Sequence, residues 1–77
     1  MDDRLVALGK KIRKIRLQKG ISIRALAEQA GLDKNQLLRI EKGEANLRYL
    51  TLCTLADTLG TPISDMVKME LDDPQKE

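Results

Sequence analysis

At 77 residues the chain is expected to form a single domain, and with one Tyr and no Phe or Trp its core must be built from Leu, Ile, Val, Met and Ala. No His and one Cys exclude an intrachain disulfide, a cysteine-based zinc site and the usual nucleophile–base pairs, which argues against an enzyme. The net charge of +2 hides a division: residues 1–48 carry twelve Lys and Arg against six Asp and Glu, whereas residues 49–77 carry two against six.

The N-terminal part therefore has the electrostatic footprint of a phosphate-binding surface, and the C-terminal part does not. No apolar run approaches the roughly 18 residues that span a bilayer. Met1-Asp2-Asp3-Arg4 lacks the profile of a signal peptide. With Cys53 alone, the expectation is a cytoplasmic protein without metal, cofactor or membrane contact.

The spacing of Leu5, Leu8, Ile12 and Ile15 predicts a first amphipathic helix, capped by Asp2 or Asp3 and stopped by Gly20. Lys10, Lys11, Arg13, Lys14 and Lys19 occupy its other faces. A second helix opens at Ser22, carries Ile23, Leu26, Ala27 and Ala30 along one stripe, and stops at Gly31. After Gly31-Leu32-Asp33 a third runs from about Lys34 to Lys42, with Asp33 and Gln36 at capping-box spacing and Gly43 at its end. Beyond Glu44-Ala45-Asn46, a fourth helix from about Arg48 to Leu59 aligns Leu52, Leu55, Ala56 and Leu59. Thr61-Pro62 starts a fifth. Ile63, Met66 and Val67 form its apolar side, which Leu71 extends if the helix runs that far. The domain is thus placed at 1–71, with residues 72–77 a charged, disordered tail.

Residues 21–43, ISIRALAEQAGLDKNQLLRIEKG, carry the functional signal. Two short helices joined by a turn containing Gly form a helix-turn-helix. The unit needs a small residue where its helices meet, and Ala27 supplies it. It needs tolerance of positive φ at the turn, which Gly31 has. Leu26, Ala30, Leu32, Leu37 and Ile40 stand where apolar plugs must hold the second helix down.

These residues, with Leu8-Gly9, Ile12-Arg13, Arg16, Glu41-Lys42-Gly43 and Leu52…Leu55-Ala56…Leu59-Gly60, resemble the Cro and phage-repressor (XRE-type) helix-turn-helix family over residues 8–66. The Glu-Lys-Gly-Glu-Ala-Asn-Leu segment and the short length are most similar to controller proteins of restriction–modification systems. The resemblance implies an all-α, compact five-helix, lambda-repressor-like domain whose motif, 22–43, places the third helix in the major groove of double-stranded DNA. Lys34, Asn35 and Arg39 match the family's base-reading positions, and Arg, Lys and Asn suit G and A edges. Gln36 either reads a base or closes the capping box. Leu38 either meets a thymine methyl or packs on a neighbouring helix. Arg16 and Glu41 match a structural salt bridge. Lys10, Arg13, Lys42, Asn46 and Arg48 are candidate phosphate contacts or solubilising charges. Ile23 stands where the family places a phosphate-gripping Gln, and Arg24 is expected to take over that anchoring.

One recognition helix reads few base pairs, so a two-fold homodimer on a palindromic operator is expected. Tyr49, Leu50, Cys53, Ile63, Met66, Val67 and Met69 exceed what one small core requires, and helices four and five are assigned to the dimer contact. For Cys53, packing as a small buried apolar residue competes with that assignment. The function implied is a sequence-specific transcriptional regulator, such as a repressor, with no evident small-molecule effector. The competing readings are a DNA-binding antitoxin and a protein-interaction module that kept the fold. The polar third helix argues against the second of these.

Overall fold

The computed structural model describes residues 2–68, and all regular structure among them is helical. α1 spans Asp3–Gln18, α2 Ile23–Ala30, α3 Lys34–Glu41, α4 Tyr49–Leu59 and α5 Ile63–Met66. The boundary expected at 71, the tail 72–77, Met69 and Leu71 lie outside the described residues.

Asp2 caps α1 by accepting the Arg4 backbone N–H at 2.8 Å. The Arg4 guanidinium turns back onto the same carboxylate, Nη2 to Oδ2 at 2.8 Å. The side-chain bond from Arg4, and then its backbone N–H, hold the Asp2 carboxyl down at about 2, so the cap is charged at neutral pH.

Every helix sends at least one side chain fully inside: Ile12 from α1, Leu26 from α2, Leu37 from α3, Leu55 and Leu59 from α4, and Met66 from α5. Burying a side chain of this size stabilises the fold by about 1.5–3 kcal/mol. Half-buried Ala30, Leu32, Ile21 and Ile23 pack around this cluster. Two expectations are corrected by this arrangement. Met66 belongs to the core rather than to a dimer face, because it is the one fully buried side chain of the four-residue α5. Val67, counted on the apolar side of the fifth helix, is the C-cap of α5 and is exposed. Ile63, also assigned to the dimer contact, is half-buried against the core. Leu5 and Leu8 are half-buried too, while Ala7, Gly9 and Arg16 are buried beside Ile12 and Ile15.

Gly9 is where α1 meets the end of α3. A Cβ there would stand 2.5 Å from the carbonyl oxygens of both Ile40 and Glu41, so two backbones touch where any larger residue would part them. Nearly two turns further along α1, Arg16 completes the junction. Its Nε donates to Glu41 Oε2 at 2.8 Å, its Nη2 to Glu41 Oε1 at 3.1 Å, and its Nη1 to the Ile21 carbonyl at 2.9 Å. Both residues are buried, so a fork-to-fork ion pair ties α1, the α1–α2 connection and the end of α3 together.

The turn of the motif depends on Gly31. Its φ of +70° lets the chain double back, and the Leu32 N–H then donates to the Ala27 carbonyl at 2.8 Å. An added Cβ at Gly31 would meet nothing within 4 Å. Gly31→Ala is therefore expected to cost only the left-handed backbone term, about 1–2 kcal/mol, measured as a shift of the urea midpoint at unchanged slope.

Candidate nucleic-acid interface

α3 is short and strongly two-faced. Leu37 and Ile40 face the core and Glu41 faces Arg16, which leaves Lys34, Asn35, Gln36 and Arg39 exposed on the other side. Their chemistry is donors, with amide acceptors, on a rigid rod fixed at both ends. At the start, Asp33 Oδ2 accepts the Asn35 N–H at 3.0 Å. At the end, the Arg16–Glu41 pair holds the last turn.

The capping box expected between Asp33 and Gln36 is not formed. Asp33 spends its carboxylate on the Asn35 N–H, one residue earlier than the box requires, and no return bond from the Gln36 side chain appears among the described residues. Gln36 instead lines a shallow depression with Asn46, Arg48 and Thr51, where α3 faces the connection to α4. Arg39 leans over the same connection, its Nη2 3.5 Å from the Glu44 carbonyl, a distance too long to lock the guanidinium. Gln36, expected to read a base, thus lies beside Asn46 and Arg48, two of the residues expected to touch phosphates, and Arg39 reaches toward the same connection.

Leu38 is half-buried and stands outside the residues packed on the core, so it borders this polar face. Arg24 lies at the second position of α2, exposed, just past Ser22, whose Oγ accepts the Ala25 N–H at 3.0 Å. Neither α2 nor α3 has an acidic residue in its first turn. Cations there oppose the helix dipole, a cost that a nearby anion would reverse. Lys42 is exposed just beyond the end of α3.

The structure does not bring all of the expected contacts together. Lys10 and Arg13 line a separate groove on the outer face of α1 with Lys14, Leu17 and Gln18, to which no residue of α2 or α3 contributes. Sequence reasoning also missed features of the α3–α4 connection. Arg48 is the N-cap of α4 and supplies no side-chain bond, so the first-turn N–H groups open into solvent beside Asn46 and Thr51. The signal was present: no Ser, Thr, Asp or Asn immediately precedes Tyr49.

On α4, Tyr49 is 68% and Leu50 75% exposed. Thr54, one turn on, turns its hydroxyl inward to donate to the Leu50 carbonyl at 3.0 Å, which makes the patch less polar than its composition suggests. Cys53 is half-buried beside Tyr49, and its hydrogen bond pushes the Tyr49 phenol above its ordinary value. Among the described residues no group of His, Cys, Asp or Glu could hold a metal ion, and no helix is long and apolar enough to cross a membrane.

Comparison with known proteins places this arrangement. The Helix-turn-helix family profile matches residues 12–66. No curated protein matches. Among solved structures, the restriction-modification controller protein C.AhdI from Aeromonas hydrophila is 29% identical, with a TM-score of 0.82, covering 84% of this chain and 98% of that one. The clp gene regulator ClgR from C. glutamicum is 28% identical, with a TM-score of 0.82 and coverage of 83% and 82%. The master regulator for biofilm formation SinR, solved in complex with DNA, is 29% identical, with a TM-score of 0.75 and coverage of 79% and 98%.

Proposed function

The chain belongs to the Helix-turn-helix family, and from that premise we propose that it is a sequence-specific double-stranded DNA-binding regulator of transcription, acting as a homodimer on a palindromic operator. The observation that carries the proposal is the exposed row Lys34, Asn35, Gln36 and Arg39 on a helix clamped at both ends. A helix fits the major groove, where each base pair shows a distinct donor–acceptor pattern, and these side chains can match G and A edges there. The similarity to SinR, solved with DNA, and to ClgR and C.AhdI, named as a gene regulator and a controller protein, supports the same reading. It involves no catalysis.

In this reading Lys34, Asn35, Gln36 and Arg39 contact bases, and the absence of the Asp33–Gln36 bond favours that role for Gln36. Arg24, Lys42, Asn46 and Arg48 contact phosphates on either side of α3. Lys10 and Arg13 extend the contact along α1 only where the duplex reaches the outer face of that helix. Tyr49, Leu50 and Cys53 on α4 meet the same residues of a second copy, a self-complementary contact supported by the exposure of Tyr49 and Leu50. Two-fold dimers of this motif bind half-sites one turn apart, about 34–36 Å, and the same spacing is expected here.

Phosphate contacts make affinity fall with salt, by a slope of about −0.9 for each phosphate neutralised. Duplex binding measured by fluorescence anisotropy across a salt series should therefore show a steep slope. Arg24→Ala should flatten it by about one contact's worth while the ranking of duplex sequences stays the same. An unchanged slope would remove Arg24 from the interface, and no binding at low salt by folded protein would remove the whole reading.

A further inference from the structure

Leu38 is the large apolar side chain of the helix-turn-helix that the core leaves out. Among the half-buried branched apolar residues of 21–43, Ile21, Ile23 and Leu32 pack against the buried cluster, and Leu38 does not. Lys34 and Asn35 precede it by one helical turn and Lys42 follows it by one, so all three share its side of α3. Each of them is exposed, as is the adjacent Arg39. An apolar side chain therefore stands within a row of hydrogen-bonding groups. That row faces bases under the proposed function, on which this inference rests.

The chemistry of the row is one-sided. Lys and Arg suit O6 and N7 of guanine, and Asn and Gln suit N6 and N7 of adenine. Cytosine N4 calls for an Asp or Glu acceptor, but the carboxylate of α3, Glu41, is buried on Arg16. What remains is the thymine edge, whose 5-methyl group is recognised by apolar contact.

We propose that Leu38 reads a pyrimidine 5-methyl group and so fixes a thymine in each half-site. Along the helix axis Leu38 stands about 4.5 Å from Asn35 and about 1.5 Å from Arg39. These offsets are comparable with the roughly 3.4 Å step between successive base pairs. The methyl group therefore belongs to a pair read by Asn35 or Arg39, or to the next one. Because the methyl is recognised and not the whole base, 5-methylcytosine offers the same feature, whereas uracil and unmodified cytosine lack it. Burial of one methyl group corresponds to about 4-fold in affinity.

The test starts from a duplex recovered by selection with the full chain, and replaces its thymines with deoxyuridine one symmetric pair at a time. The expected result, read by fluorescence anisotropy, is one pair at which the wild type loses about 4-fold in affinity per half-site. With cytosine at that pair, adding the 5-methyl group should recover the same factor. Leu38→Ala should bind the thymine and uracil duplexes equally, and its retained binding to the uracil duplex reports that it folds. Leu38→Gln, which keeps the length of the side chain without its apolar end, should behave the same way. Indifference of the wild type to every replacement overturns the proposal, and so does undiminished methyl sensitivity in the variants; both leave sequence-specific DNA binding standing. Recovery of no duplex by folded protein overturns the proposal together with the function beneath it.

Discussion

Arg16→Ala and Glu41→Ala are each expected to destabilise the domain by about 3–5 kcal/mol, because either leaves an uncompensated charge in a buried site. The side chains of the pair are 9% and 5% exposed, so solvent cannot take over the missing partner without opening the junction. At roughly 0.05–0.15 kcal/mol per residue, a chain of this size has a total stability of only about 4–12 kcal/mol. The Tm should fall by at least about 12 °C, and the less stable variant is expected to be largely unfolded near 37 °C. The double substitution Arg16→Met with Glu41→Leu separates causes, since removing both charges restores an apolar junction. It should recover most of the loss, though not the bond from Arg16 Nη1 to the Ile21 carbonyl. A double variant as unstable as the worse single one would mean that the pair's hydrogen bonds, and not its desolvated charge, dominate.

Arg39→Ala is expected to weaken binding to the preferred duplex by roughly 5- to 150-fold, the equivalent of about 1–3 kcal/mol for one bidentate base contact. Binding to a scrambled duplex should change little. Arg39 projects from α3 with only a 3.5 Å approach to the Glu44 carbonyl, so its fork is free to swing onto a guanine at small enthalpic cost. Arg39→Lys should not restore discrimination, because a point charge cannot make the two parallel bonds. Competition anisotropy with both duplexes checks this directly. Equal losses on the two would reassign Arg39 to the phosphates.

Much of the fold was legible because local signals and the hydrophobic pattern agree. Gly20, Gly31 and Gly43, read from sequence as helix stops, all have positive φ, as does Gly60 after α4. The apolar spacing within α2 and α4 identified Leu26, Leu55 and Leu59, and the plug positions of the motif identified Leu37 and Ile40, all of which are buried. Arg16 and Glu41 are 25 residues apart, and only the family resemblance suggested that they meet.

What the sequence did not show shares a physical cause. The burial of Met66 depends on how α5 lies across α1 and α4, a tertiary fact with no local signature. The backbone contact at Gly9 is equally non-local, since within a helix a glycine looks like a weakness until the opposing chain is known. The Asp33–Gln36 spacing fits a capping box, but a carboxylate at an N-cap can bond an earlier N–H instead, and here it does. The position of Lys10 and Arg13 away from α3 could not be read from a charge count, which has no direction.

Whether α3 reads a duplex sequence as one half of a symmetric pair is decided by selecting binding sites from a random duplex pool with the purified protein. Enrichment of a two-fold symmetric site with half-sites about one helical turn apart, roughly 34–36 Å, is the expected result. Enrichment of a single unsymmetric half-site would rule out the dimer, and no enrichment at low salt by folded protein would rule out sequence-specific DNA binding.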